Sequence, residues 1–134
     1  MIELAIALPF MLLMFAGTAE IGRLYYQYTS LAKATRIGAR YLSTSNDVSI
    51  TEAKNLMVCG SLNACGGATI VSGFGTGNIA VTPPATGMVP VKYVTVTVTG
   101  FNYQPLVFNL ATMTGNSGFS NISLSPSTRI RYMP

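Results

Sequence analysis

From Leu4 to Ala19 no position carries a charge, and the apolar run "LAIALPFMLLMFAGTA" is bracketed by Glu3 and Glu20. At helical rise these residues span about 24 Å, slightly short of a hydrocarbon core of about 30 Å. Helical patterning then continues through Leu24, Tyr28, Leu31, Thr35, Gly38 and Leu42, which recur at intervals of three and four. The spacing predicts one helix from about Ile2 to Leu42, roughly 60 Å long. Helices in globular domains average about 11 to 12 residues, so the excess length asks for packing partners outside this chain. Pro9 sits inside the run, where it removes the hydrogen bond to the Ala5 carbonyl and predicts a kink that lipid or a packed bundle would tolerate. Ala16, Gly17, Ala19, Gly22, Gly38 and Ala39 are small enough for a neighbouring helix to approach there, or are merely weak helix positions.

Downstream, "STSNDVSITEAKNLMVCG" reads as a polar link and a short second helix, with Ser49 or Thr51 at its N-cap and Gly60 at its end. The period then changes from helical to alternating. "VKYVTVTVTGFNY" places Val94, Val96 and Val98 on one face and Tyr93, Thr95, Thr97 and Thr99 on the other, with a bulge or bend at Gly100. "NIAVT" and "NISLSPSTRIRYM" repeat the alternation through Ile79, Val81, Ile122, Leu124, Ile130 and Tyr132, with turns at Pro83-Pro84 and "TGNSG". The predicted class is α+β: a long N-terminal helix over 1–43, then a head domain over 44–134 containing a short helix and a small antiparallel sheet with one dry and one Thr/Ser-rich face.

Composition sharpens this division. Charged residues make up 9% of the chain and apolar ones 49%, which excludes a disordered chain and favours lipid contact or extensive burial. All four acids, Glu3, Glu20, Asp47 and Glu52, precede residue 55, and beyond it only Lys92, Arg129 and Arg131 are charged. The net charge of +4 is spread too thinly to track phosphates, so no nucleic-acid partner is expected. The chain has no histidine, hence neither the commonest general base nor the commonest metal ligand. With no Asp, Glu or His after Glu52, the head offers no acid/base pair. No catalytic residue, cofactor or metal is expected.

A secretory signal peptide would open with Lys or Arg and end in small residues at a cleavage site. Here the leading charge is acidic and the apolar run passes into Glu20, Arg23 and the cluster Tyr25, Tyr26 and Tyr28, so the segment reads as retained. Those tyrosines suit a membrane interface or the edge of a packed core. Cys59 and Cys65 enclose "GSLNA" beside Gly60, Gly66 and Gly67, a spacing at which the backbone can close a small ring. Two free thiols or a thiol metal pair are the alternatives; the disulfide is the reading adopted, and it puts the head outside the cytoplasm. Asn121-Ile122-Ser123 also fits an N-glycosylation acceptor, a triplet common by chance.

"IELAIALPFMLLMFAGTAEIGRLYYQY", the tract "ATRIGARYLS", "AKNLMVCG" and the Arg131 to Met133 close together resemble the TadE-like pilins, small subunits of the Tad (type IVc) class of type IV filaments. The resemblance implies a structural subunit, not an enzyme. Its helix would wait in the inner membrane and then enter a helical filament of identical subunits, with the head displayed at the bacterial surface for attachment. Prepilin peptidase and the pilus assembly machinery are the further partners implied. In type IV pilins the acid is the fifth residue after a Gly preceded by a basic leader. Here it is the third and no leader precedes it, so the expectation is that the chain starts inside the mature protein or that processing differs.

Within this resemblance Glu3 becomes a registry device, meeting the N-terminal amine of a neighbouring subunit. An unpaired carboxylate in an apolar core costs several kcal/mol, so only the register that pairs it is acceptable. An ordinary carboxylate favoured by the helix dipole is the alternative. Pro9, Gly17, Glu20 and Arg23 complete the candidate polymerisation set. Glu20 and Arg23 are placed to pair within the helix, or Glu20 to meet Arg36 or Arg40 of another subunit. Lys33, Arg36 and Arg40 form the candidate intersubunit basic stripe, or a solvated one. Alternatives at the level of the whole protein are a minor, pseudopilin-type or tip subunit, and a single-pass membrane protein whose outer domain binds a partner without polymerising.

Overall fold

Helix α1 runs from Ile2 to Thr44 and passes through Pro9. In the computed structural model, which describes residues 2–44, 49–82, 93–106 and 122–133, it is followed by helix α2 (Ile50–Cys59), a 3-10 turn (Thr76–Asn78) and strands β1 (Ile79–Thr82), β2 (Tyr93–Val98), β3 (Asn102–Tyr103), β4 (Ile122–Ser123) and β5 (Ser127–Arg131). The architecture is α+β, with a long helix, a short helix and small antiparallel sheets. Contacts group the chain into two units, Met1–Gln27 with Asn102–Ser123, and Tyr28–Phe101 with Leu124–Pro134.

In the first unit the helix surface is apolar all round. Leu4, Phe10, Met14 and Phe15 are 70 to 74% exposed, and Ile6, Met11, Leu12 and Leu13 are exposed as well. β3 pairs with β4 in antiparallel register, Asn102 opposite Ser123 and Tyr103 opposite Ile122.

The second unit holds the described core. There α1 becomes one-sided: Leu31, Ala34, Thr35, Gly38, Ala39, Leu42 and Ser43 are buried, at steps of three and one that trace a single face, while Lys33, Arg36, Ile37 and Arg40 point outward. Helix α2 buries Ala53, Met57 and Val58. Gly38 is where the absence of a side chain matters, since a Cβ built there would lie 2.2 Å from the Met57 Sδ and 2.4 Å from its Cγ. Gly38 therefore admits the second helix of its own chain, whereas the positions of Gly17 and Gly22 are open. Gly60 ends α2 in the left-handed conformation (φ 72°) and donates its N–H to the Leu56 carbonyl at 3.0 Å. Cys59 and Cys65 are joined in a disulfide with Cα atoms 5.7 Å apart. A ring this short contributes about 2 kcal/mol in the loop-entropy model.

The main sheet has the order β1-β2-β5, antiparallel throughout. Val94, Val96 and Val98 face inward and are almost fully buried, as the alternation predicts. On the same face Thr128 of β5 shares a 3.1 Å hydrogen bond with the Thr35 hydroxyl of α1, and the Met133 N–H reaches the Ser43 carbonyl at 3.1 Å. The alternating stretch around Leu124 forms two strands, β4 and β5, separated at Ser125-Pro126, with Ile122 exposed. Gly100 makes the expected bend (φ 67°). Asn78 braces it by donating from Nδ2 to the Thr99 and Gly100 carbonyls at 3.3 and 3.2 Å while its Oδ1 accepts the Gly75 N–H. Phe74 and Phe101 meet edge to face, 5.8 Å between centroids. Pro83-Pro84, "TGNSG" and Asn121 lie outside the described residues.

Gly38→Leu is expected to lower stability by about 1 to 3 kcal/mol, since it overfills the α1–α2 contact. Gly17→Leu, in open space, is expected to leave stability nearly unchanged. Thermal unfolding followed by circular dichroism of the full chain in detergent micelles compares the two.

Candidate functional site

Glu3 lies in the first turn of α1 and is exposed. A carboxylate there interacts favourably with the helix dipole while the chain is dispersed. Pro9 follows within the same apolar surface, where the ring removes one rung of hydrogen bonding and leaves the helix otherwise continuous. Among the described residues nothing comes within 4 Å of a Cβ built on Gly17. Lys33, Arg36 and Arg40 are all exposed, on the side of α1 away from Leu31 and Ala39. The structure thus leaves Glu3, Pro9, Gly17 and the basic stripe on open helix surface, and gathers only the neighbourhood of Glu20.

Glu20 is half-buried where the apolar run ends. The Tyr103 phenol donates to its Oε1, and the Leu106 backbone N–H donates to the same oxygen at 3.0 Å. The phenol also lies 3.3 Å from the Glu20 carbonyl. β3, paired with β4, presents Tyr103 to the helix, and the ring is 2% exposed. A carboxylate beside so much apolar surface would be costly if left bare, and two donors offset that cost. Burial first, then the hydrogen bond to Glu20 and its negative charge, push the Tyr103 phenol up to about 12, against the opposing charge of Arg23. The phenol therefore stays protonated and donating across the physiological range.

Arg23 stands one turn beyond Glu20, and its Nη1 is buried without a hydrogen-bond partner among the described residues. Tyr25, Tyr26 and Tyr28 are exposed. Sequence reasoning placed Glu20 toward Arg23 or toward another subunit and missed Tyr103 and Leu106. No local signal marks a partner 83 residues away, although a tyrosine ending the alternating "YVTVTVTGFNY" is a large side chain with a polar tip that needs an acceptor once buried.

Residues 1–40 match the family model described as TadE-like protein. The match covers the apolar run, Glu3, Glu20, Arg23 and the start of the core-facing stretch, and stops before α2. Neither a curated protein nor a solved structure matches the chain.

Tyr103→Phe removes a donor to Glu20 and is expected to cost about 1.5 to 3 kcal/mol, read by thermal unfolding in micelles. A phenol whose folded value is raised contributes stability that is complete below its unfolded value near 10 and is lost as pH climbs through the folded value of about 12. Wild type is therefore expected to lose stability between pH 10 and 12 more steeply than Tyr103→Phe. Absorbance titration at the phenolate band should show one late-ionising tyrosine more in the wild type than in the variant.

Proposed function

We propose that the chain is a structural pilin subunit of a Tad-type filament: α1 holds it in the inner membrane before assembly and packs against α1 of other copies afterwards, and the head is displayed for attachment outside the cell. The observation that carries this reading is the uncovered apolar surface of α1. The helix is long and apolar enough to cross a membrane, and among the described residues none of its apolar window is buried. The TadE-like match over the same residues and the disulfide of the head support it.

The mechanism uses two acids differently. Glu20 is satisfied within its own chain by Tyr103 and Leu106, so it travels from lipid to filament without needing a new partner. Glu3 is exposed at the start of the helix and acquires a partner only in the assembled state, where the N-terminal amine of a neighbouring copy pairs with it. Registry thus falls to Glu3. Gly17 and the positions around it provide the close approach, Pro9 a permitted irregularity, Arg23 the polar edge of the packed zone, and Lys33, Arg36 and Arg40 a basic stripe along α1 for intersubunit contact.

Glu3→Ala is expected to abolish or sharply shorten filaments, counted by negative-stain imaging of shed surface material with mass spectrometry to identify the subunit, while membrane levels of the protein stay normal. Filaments of normal length and yield from that variant would overturn the registry role. Wild-type protein found only in membranes would favour the non-polymerising single-pass alternative.

A further inference from the structure

The outward face of the main sheet has a chemistry that polymerisation does not use. Its rows follow from the strand register: Thr82, Thr95 and Arg129 lie side by side, then Ala80, Thr97 and Ser127, with Tyr93 beside Arg131. The opposite face carries Val94, Val96 and Thr128, and Thr128 bonds to α1, so the hydroxyl and arginine face looks away from the helix within this unit. Arg129, Arg131, Ser127, Thr82 and Tyr93 are exposed. Arg129 lies over the Tyr93 ring, 4.0 Å from its centroid. That contact lays the guanidinium against the Tyr93 ring on the exposed side of the sheet.

The chain contains no Asp or Glu after Glu52, so no strand contributes an acid to compete for these arginines. The Glu52 carboxylate accepts the Tyr41 hydroxyl at 3.1 Å on the helical side. The face is thus positive and rich in hydroxyls, with two arginines whose Cα atoms lie about 7 Å apart along one strand.

We infer that this sheet face is a docking surface for an acidic polysaccharide, with Arg129 and Arg131 taking its carboxylates and Thr82, Thr95, Thr97 and Ser127 its hydroxyls. Guanidinium forks suit carboxylates, and a ladder of short hydroxyls suits a hydroxylated chain laid across the strands. A single-stranded nucleic acid fits less well, because it needs open aromatic rings to stack its bases, and the ring of Tyr93 is already covered by Arg129. The inference deepens the attachment role and rests on that reading for its setting alone; the surface belongs to one copy of the chain.

The test uses the full chain dispersed in detergent micelles, with alginate as the acidic polysaccharide, dextran as a neutral one, and single-stranded DNA. Alginate is expected to bind, dextran not, and alginate binding to weaken as salt is raised. Arg129→Gln with Arg131→Gln is expected to weaken alginate binding about tenfold with unfolding temperature unchanged, while Lys54→Gln leaves it as in the wild type. Failure of the wild type to bind alginate, an equal loss in the Lys54 variant, or tighter binding of DNA than of alginate would each overturn the proposal. Micelle-dispersed subunits are scored whether or not they polymerise, and imaging of filaments from the same strain reports on assembly separately.

Discussion

The first half of α1 carries apolar side chains on every side, and among the described residues nothing covers them. Leu4, Ile6, Leu8, Phe10, Met11, Leu12, Leu13, Met14 and Phe15 are all exposed. Removing that surface from water is worth on the order of 10 kcal/mol, comparable to the whole stability of a small domain. The second half of the same helix behaves differently from Leu31 onward, because burial there is confined to one stripe facing α2 and the sheet. One element therefore serves two kinds of neighbour, and the change occurs over the turns that hold Glu20, Arg23 and the exposed tyrosines.

Placing an acid at that change would be a liability if the chain did not attend to it. Glu20 is held by a phenol and a backbone amide that come from far along the sequence, and the phenol is itself buried and kept protonated by its surroundings. The carboxylate is thereby made compatible with low-dielectric surroundings by groups that travel with it. Glu3 is exposed instead, and the proposed division into a registry acid and an internally fastened one rests on that contrast.

Much of the fold was legible because its signals are local and periodic. The three- and four-residue steps from Leu31 to Leu42 marked the buried stripe, the alternation of valine and threonine marked both faces of β2, and Gly60 and Gly100 ended their elements as left-handed glycines should. What escaped depends on contacts between distant segments. Gly38 suggested an approach by a foreign helix, and only the packed chain shows Met57 filling that space. Asn78 has no sequence pattern to announce that its amide braces the bend at Gly100. Tyr103 was invisible as the partner of Glu20 for the same reason. Pattern reading saw the acid and its spacing to Arg23, and had no means of bringing a strand 83 residues away onto the helix.

The Gly38 contact has an evolutionary consequence. The volume shared between the two helices at this point is fixed by packing on all sides, since Met57 is fully buried and Ala39 beside it has no exposed surface. A lineage that gains a methyl group at position 38 can keep the helices together only by surrendering bulk at position 57, and the reverse holds as well. Positions 38 and 57 are therefore bound to drift as a pair, a correlated exchange of volume across related chains, while Gly17 and Gly22, open within the single chain, take their covariation from whatever other molecule lies against them.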